Sequence, residues 1–234
     1  METKKKMMIG FGVSGVLFLI FGVLLGLVLK VNVQAIGPEG SVIGLATLNG
    51  YMHELIGVHI IWYHITEWFG LVAILTAFGF AVVGLVQVVK EKSLFRVEKS
   101  LIWLGGYFVL VIGIYIFFEK YVINYRPIML SEYLEPSFPS THTMIVLCIM
   151  GAAMIQFQRR IKNQKVRYAA HILSVLTIAV TVIGRMISGV HWFTDIIAGL
   201  LIGTAMLFLY YAVDLLICQF LPDFQRCKSN EQNC

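Results

Sequence analysis

Residues 8–29 read MIGFGVSGVLFLIFGVLLGLVL. No side chain in this run carries a charge. At about 1.5 Å of rise per residue, a helix of this length crosses the roughly 30 Å hydrocarbon core of a bilayer. The run is too long for the apolar part of a secretory signal, and no small-residue cleavage site follows it, so it reads as a retained anchor. Five more apolar runs lie further along, at about 66–89, 101–119, 142–158, 167–187 and 194–219. They are continuous rather than alternating, which excludes a strand barrel. The composition agrees: 59% apolar, against about half for a soluble domain, with a mean hydropathy of +0.83. The expected fold is an all-α membrane protein of six transmembrane helices. No Pro- or Ser-rich linker, low-complexity tract or repeat divides the chain, so residues 1–234 form one integral membrane domain.

The longest connection, about residues 31–65, opens on Gly37-Pro38-Glu39-Gly40, a turn signal. From Leu45 to Tyr63 it becomes apolar with scattered polar residues, the pattern of a helical segment lying in the membrane interface between the first two spans. His53, Glu54, His59 and His64 fall in or beside it. Two metal-binding histidines on a helix need a spacing near one turn, as in H-E-x-x-H. The six-residue step from His53 to His59 turns them to different faces, so no metal site is expected and the imidazoles read as water-facing tips of an interfacial segment.

Charge sets the orientation. Lys4, Lys5 and Lys6 precede the first span; Lys90, Lys92, Arg96 and Lys99 lie between the second and third; Arg159, Arg160, Lys162, Lys165 and Arg167 between the fourth and fifth; Arg226 and Lys228 after the sixth. All fall on one side, which the positive-inside rule makes cytoplasmic. Both termini are therefore expected inside, in a multi-pass plasma membrane protein. The net charge of +5 reflects this orientation and not nucleic-acid binding. Cys148 lies within the fourth span and Cys218, Cys227 and Cys234 at the cytoplasmic end, so no disulfide is expected. Gly22-x3-Gly26 and Gly199-x3-Gly203 have the small-residue spacing of close helix contacts; they leave the oligomeric state open.

Only Lys30, Lys120, Arg126 and Arg185 stand on the opposite, outer side, and three of them belong to polar clusters at span ends. The clusters are Lys120-x5-Arg126-Pro127, Pro139-Ser140-Thr141-His142 and Arg185-x5-His191-x3-Asp195. Ionisable groups at membrane depth mark function. His191 and Asp195, four apart, share a helical face if the sixth span begins near Trp192. A carboxylate beside an imidazole selects its tautomer and stabilises charge on it, which makes His191 a candidate nucleophile toward phosphate. His142 is placed to protonate the leaving oxygen and then activate water. Arg126 and Arg185 suit the phosphate oxygens, since guanidinium matches them bidentately. Ser140, Thr141 and backbone N–H groups at the start of the fourth span suit an oxyanion. Phosphoryl transfer depends mainly on positioning and charge stabilisation, which this inventory supplies without a metal or cofactor.

The three clusters resemble the signatures of the type 2 phosphatidic acid phosphatase family, the membrane lipid phosphatase branch of the vanadium haloperoxidase superfamily. That pattern is Lys, six residues, Arg-Pro; Pro-Ser-Gly-His; and Ser-Arg, five residues, His, three residues, Asp. The resemblance spans about residues 66–210. It implies His191 as nucleophile, Asp195 as its orienting partner, His142 as general acid, and Arg126, Arg185, Ser140 and Lys120 as phosphate ligands. It also implies a metal-independent hydrolase of a phosphorylated membrane lipid, such as undecaprenyl pyrophosphate or phosphatidylglycerol phosphate, at a membrane face, which the charge topology makes the extracytoplasmic one. Three positions depart from the pattern: Lys120 is one residue closer to Arg126, with Glu119 in the expected place; Thr141 replaces Gly; Gly184 replaces Ser. Lys120 is expected to reach the phosphate on its long stem. A lipid phosphotransferase with the same intermediate and a non-catalytic lipid-binding or transport protein are the rival readings.

Overall fold

A computed structural model describes residues 2–220. Seven α-helices occur among them: α1 (Glu2–Lys30), α2 (Ala46–Ile56), α3 (Ile60–Glu91), α4 (Lys99–Lys120), α5 (Thr141–Arg160), α6 (Gln164–Ile187) and α7 (Phe193–Phe220). All but α2 are long and apolar enough to cross a membrane. Arg226, Lys228, Cys227 and Cys234, used above for orientation and thiol placement, lie outside the described residues.

The helices run past the apolar runs that announce them, because helical hydrogen bonding does not stop at the edge of hydrocarbon. α1 takes in Lys4, Lys5 and Lys6, with Lys6 pairing Glu2 one turn away at 2.8 Å. The largest difference is α3, which begins at Ile60 rather than near residue 66. The interfacial segment is accordingly the shorter α2, closed by Gly57 at φ +74. His64 belongs to α3 and not to the connection. The histidines diverge: the His53 ring packs on Trp192 at 5.4 Å, His59 Nε2 lies 3.1 Å from the Ile56 carbonyl, and His64 meets the ring of Tyr63.

α5 is the central helix. It packs against α3, α6 and α7, while α1 lies along α7. A helix wrapped by others meets little lipid, so α5 tolerates Thr143, Cys148 and Gln156, all buried. Gly199 and Gly203 of α7 face α5: a Cβ at Gly199 would stand 2.7 Å from the Ser140 carbonyl oxygen. That pair serves contact within the chain, whereas Gly22 and Gly26 meet no neighbour within 4 Å. Ser14 donates to the Ala205 carbonyl and Gly10 abuts Ala212, which sets α1 antiparallel to α7. At the end of the bundle rich in Lys and Arg, Arg159 is bonded to buried Asp214 and Arg160 pairs with Glu98 at 2.9 Å. The opposite end carries the three clusters.

Candidate active site

The α4–α5 connection folds back on itself. Arg126 N–H donates to the Glu135 carbonyl and Ser137 N–H to the Asn124 carbonyl, with Tyr125 bridged to Pro136. Trp192 Nε1 donates to the Tyr125 carbonyl at 2.7 Å, which ties this clip to the turn between α6 and α7. Ser140 N–H donates to the Asp195 carbonyl at 2.9 Å and stitches the start of α5 to the start of α7. The clusters, distant in sequence, therefore meet.

His191 sits in the α6–α7 turn, 5% exposed. Its Nδ1 lies 3.1 Å from the Ser137 carbonyl oxygen. A carbonyl can only accept, so Nδ1 carries the proton and Nε2 keeps its lone pair. Nε2 is buried and has no hydrogen-bond partner. Burial, reinforced by the charges of Arg126, Arg185 and His142, holds the His191 pKa well below its ordinary value. The ring is a neutral imidazole at physiological pH, with one nitrogen available to attack.

Asp195 differs from expectation. Its Oδ2 is 3.8 Å from His191 Nδ1, too far for a hydrogen bond. The same oxygen accepts from Trp192 N–H at 2.9 Å, the backward reach of a capping box at the start of α7. The Ser137 carbonyl sets the tautomer; Asp195 holds the turn, with its carboxyl group 3.8 Å from the ring nitrogen.

The two arginines reach the same place from different elements. Arg185, at the end of α6, is fully buried; Glu67 of α3 binds its Nη2, the Tyr63 ring lies 4.9 Å from its Cζ, and its Nε and Nη1 have no partner. Arg126 Nε is 3.0 Å from Glu135 Oε2, and its buried Nη1 has no partner. Buried guanidinium nitrogens rarely go unpaired; here they lie within electrostatic range of the His191 ring. A tetrahedral anion would supply the missing acceptors.

His142, in the first turn of α5, places Nε2 3.2 Å from Glu67 Oε1. Ser140 is fully buried, and its hydroxyl donates to Thr143 Oγ1 at 3.1 Å, within its own helix. Thr141 is half-buried beside it. Lys120 is not brought in. α4 stays helical through it, and its side chain is exposed. The expectation that its long stem carries it to the phosphate site is not met in this conformation.

Gly184 has a packing reason. A Cβ there would stand 2.5 Å from Thr66 Cγ2 and 3.2 Å from Trp62 Cε3 on α3. The close approach of α3 leaves no room for the serine of the family pattern. Glu67, Glu135, Ser137, Asn124 and Tyr63 were missed in the sequence. Of these, only Glu67 carried a signal, a carboxylate inside an apolar run.

Six apolar helices thus carry at one end a buried, unpartnered imidazole nitrogen and buried, unpartnered guanidinium nitrogens. The chain belongs to the PAP2 superfamily, whose model matches residues 76–216. It is 29% identical over 99 residues to lipid phosphate phosphatase delta of Arabidopsis thaliana, a match covering 42% of this chain and 23% of that protein. Its fold is similar to the crystal structure of a transmembrane PAP2 type phosphatidylglycerolphosphate phosphatase from Bacillus subtilis, with TM-score 0.59 and 18% identity, over 88% of this chain and 98% of the other.

Proposed function

We infer that this chain is a lipid phosphatase that hydrolyses a phosphate monoester or pyrophosphate through a phosphohistidine on His191. The observation that carries the reading is the buried, unpartnered His191 Nε2, its tautomer set by Ser137, within electrostatic range of Arg126 and Arg185, whose own buried nitrogens are unpartnered. The arginines bind the phosphate, and the hydroxyls and N–H groups at the start of α5 line it. Nε2 forms a bond to phosphorus as the P–O bond breaks, and the electron pair of that bond goes to the departing oxygen. His142 supplies the proton this oxygen needs. His142 then takes a proton from water as the water oxygen attacks phosphorus, and the P–N electron pair returns to Nε2. Asp195 stabilises the positive charge that passes through the imidazole.

The site end is extracytoplasmic in this reading, supported by the concentration of Lys and Arg at the other end of the bundle. The family and the membrane setting support a phosphorylated lipid, with undecaprenyl pyrophosphate and phosphatidylglycerol phosphate as first candidates. Purified protein should release phosphate from members of a lipid phosphate panel, and His191→Ala should release none. Release that requires an added alcohol acceptor would instead identify a phosphotransferase.

A further inference from the structure

Glu67 lies before the residues matched by the family, 76–216, and outside all three clusters. A carboxylate on a membrane-spanning helix needs partners, and it has two. Its Oε1 stands 3.2 Å from His142 Nε2 and also accepts from Arg185 Nη2. The imidazole lies close to this stretch of α3: a Cβ at Gly70 would be in van der Waals contact with His142 Cδ2 at 3.4 Å. The charged or titratable groups acting on His142 are Arg185 from α6, Arg126 from the α4–α5 connection, His191 from the α6–α7 turn and Glu67 from α3. Among the described residues Glu67 is the one carboxylate of this set, facing two guanidinium groups.

We propose that Glu67 is a positioning residue for the proton donor, orienting His142 through Nε2–H so that its other nitrogen faces the departing oxygen and delivers the proton to it. The proposal rests on the phosphohistidine reading above and assigns that site a group from a helix the sequence motifs do not reach. A carboxylate only accepts, so Nε2 keeps its proton throughout and Nδ1 is the nitrogen that gives one up. As the P–O bond breaks, the Nδ1 proton moves to the alkoxide oxygen and His142 becomes neutral. In the second half-reaction Nδ1 takes the proton of the attacking water. Glu67 stays ionised in both, and its charge offsets the two arginines that oppose a charged His142.

The test uses two substrates of the full-length protein with one phosphate and different leaving groups. Dioctanoyl phosphatidic acid releases an alkoxide that must be protonated; p-nitrophenyl phosphate releases a phenolate that leaves without a proton. kcat/KM reports the steps through loss of the leaving group, so it isolates the first proton transfer. Glu67→Gln should lower kcat/KM for dioctanoyl phosphatidic acid by about tenfold or more and for p-nitrophenyl phosphate by less than about threefold. The ratio of the two is independent of the folded fraction, and any effect on phosphate binding through Arg185 cancels from it. Equal loss on both substrates, or no loss on either, overturns the role of Glu67 and leaves the phosphatase reading standing. Wild-type protein inactive on both overturns that reading and this proposal with it. Should Glu67→Gln not fold, Glu67→Asp, which withdraws the charge by one methylene, should show the same selective loss; an unchanged ratio overturns the proposal.

Discussion

Asn49 of α2 and Thr194 in the first turn of α7 exchange two hydrogen bonds: Asn49 Nδ2 donates to Thr194 Oγ1 at 2.9 Å, and Thr194 N–H donates to Asn49 Oδ1 at 3.1 Å. Asn49 Nδ2 also donates to the Gly44 carbonyl at 2.8 Å. The interfacial helix is thus fastened to the helix that begins beside His191. A second fastening lies next to it, where His59 N–H donates to the Ser188 carbonyl and a Cβ at Gly189 would stand 2.7 Å from the Gly57 carbonyl oxygen. α2 is fastened to the start of α7, and the α2–α3 link to the α6–α7 turn, so this segment clamps the elements around His191.

Asn49→Ala should therefore lower stability by about 1–3 kcal/mol, because it leaves the Thr194 N–H buried and unpaired. Thermal unfolding in detergent reads the loss, and phosphate release should fall with it even at temperatures where the variant is folded. An Asn49→Ala protein with wild-type melting and turnover would show that the clamp is idle.

His191 as nucleophile predicts a covalent intermediate. Base-quenched wild-type protein should retain labelled phosphate from the substrate, since phosphohistidine survives alkali, and His191→Ala should retain none. Activity of the variant should be nearly abolished, as for other nucleophile deletions. Chelation should change the rate by less than about twofold, because the charge stabilisation comes from guanidinium groups. Recovery of chelated protein only on adding a divalent ion would refute the mechanism.

The depressed pKa of His191 has a consequence for stability. Below the ordinary value of 6.5 the unfolded chain takes up a proton that the buried folded ring refuses. Stability then falls as pH drops from about 6.5 toward the folded value, and the contribution is absent at higher pH. Wild-type protein should lose more melting temperature between pH 7.5 and pH 5 than His191→Asn, whose side chain does not titrate. Parallel curves for the two would show that His191 titrates normally.

Gly184 and Thr66 should be coupled. Gly184→Ala forces a methyl group against Thr66 Cγ2, an overpacking worth about 1–3 kcal/mol. Thr66→Ala removes that methyl, so the double variant should recover most of the loss in a double-mutant cycle. Additive destabilisation would mean that α3 and α6 are not this close.

Arg126 and Lys120 should separate sharply. Arg126→Ala removes a buried donor and should lower kcat/KM by about 10²–10³, the usual effect of losing one charge-stabilising donor. Lys120 is exposed at the rim and acts through screened charge, so Lys120→Ala should stay within about tenfold and its effect should shrink with salt. A Lys120→Ala loss matching Arg126→Ala would show that the side chain swings in when phosphate binds.

What the sequence determined by itself is what depends on local pattern. Uninterrupted apolar runs must become helices where no water can satisfy the backbone, so six spans were legible, with their ends displaced where α1 and α3 continue into polar sequence. The three clusters were legible because ionisable residues at span ends stand out against apolar surroundings. Tertiary structure decided what those residues touch. His191 Nδ1 meets the carbonyl of Ser137, 54 residues away, in place of the carboxylate four residues on. Arg185 meets Glu67 across 118 residues, and Thr194 meets Asn49 across 145. A backbone carbonyl has no sequence signature, and a buried Asn or Glu shows its purpose only through the partner that packing brings to it. Lys120 makes the same point in reverse: its long stem and its place near Arg126 suggested that it reaches the site despite the shortened spacing, and the helical phase of α4 leaves it exposed.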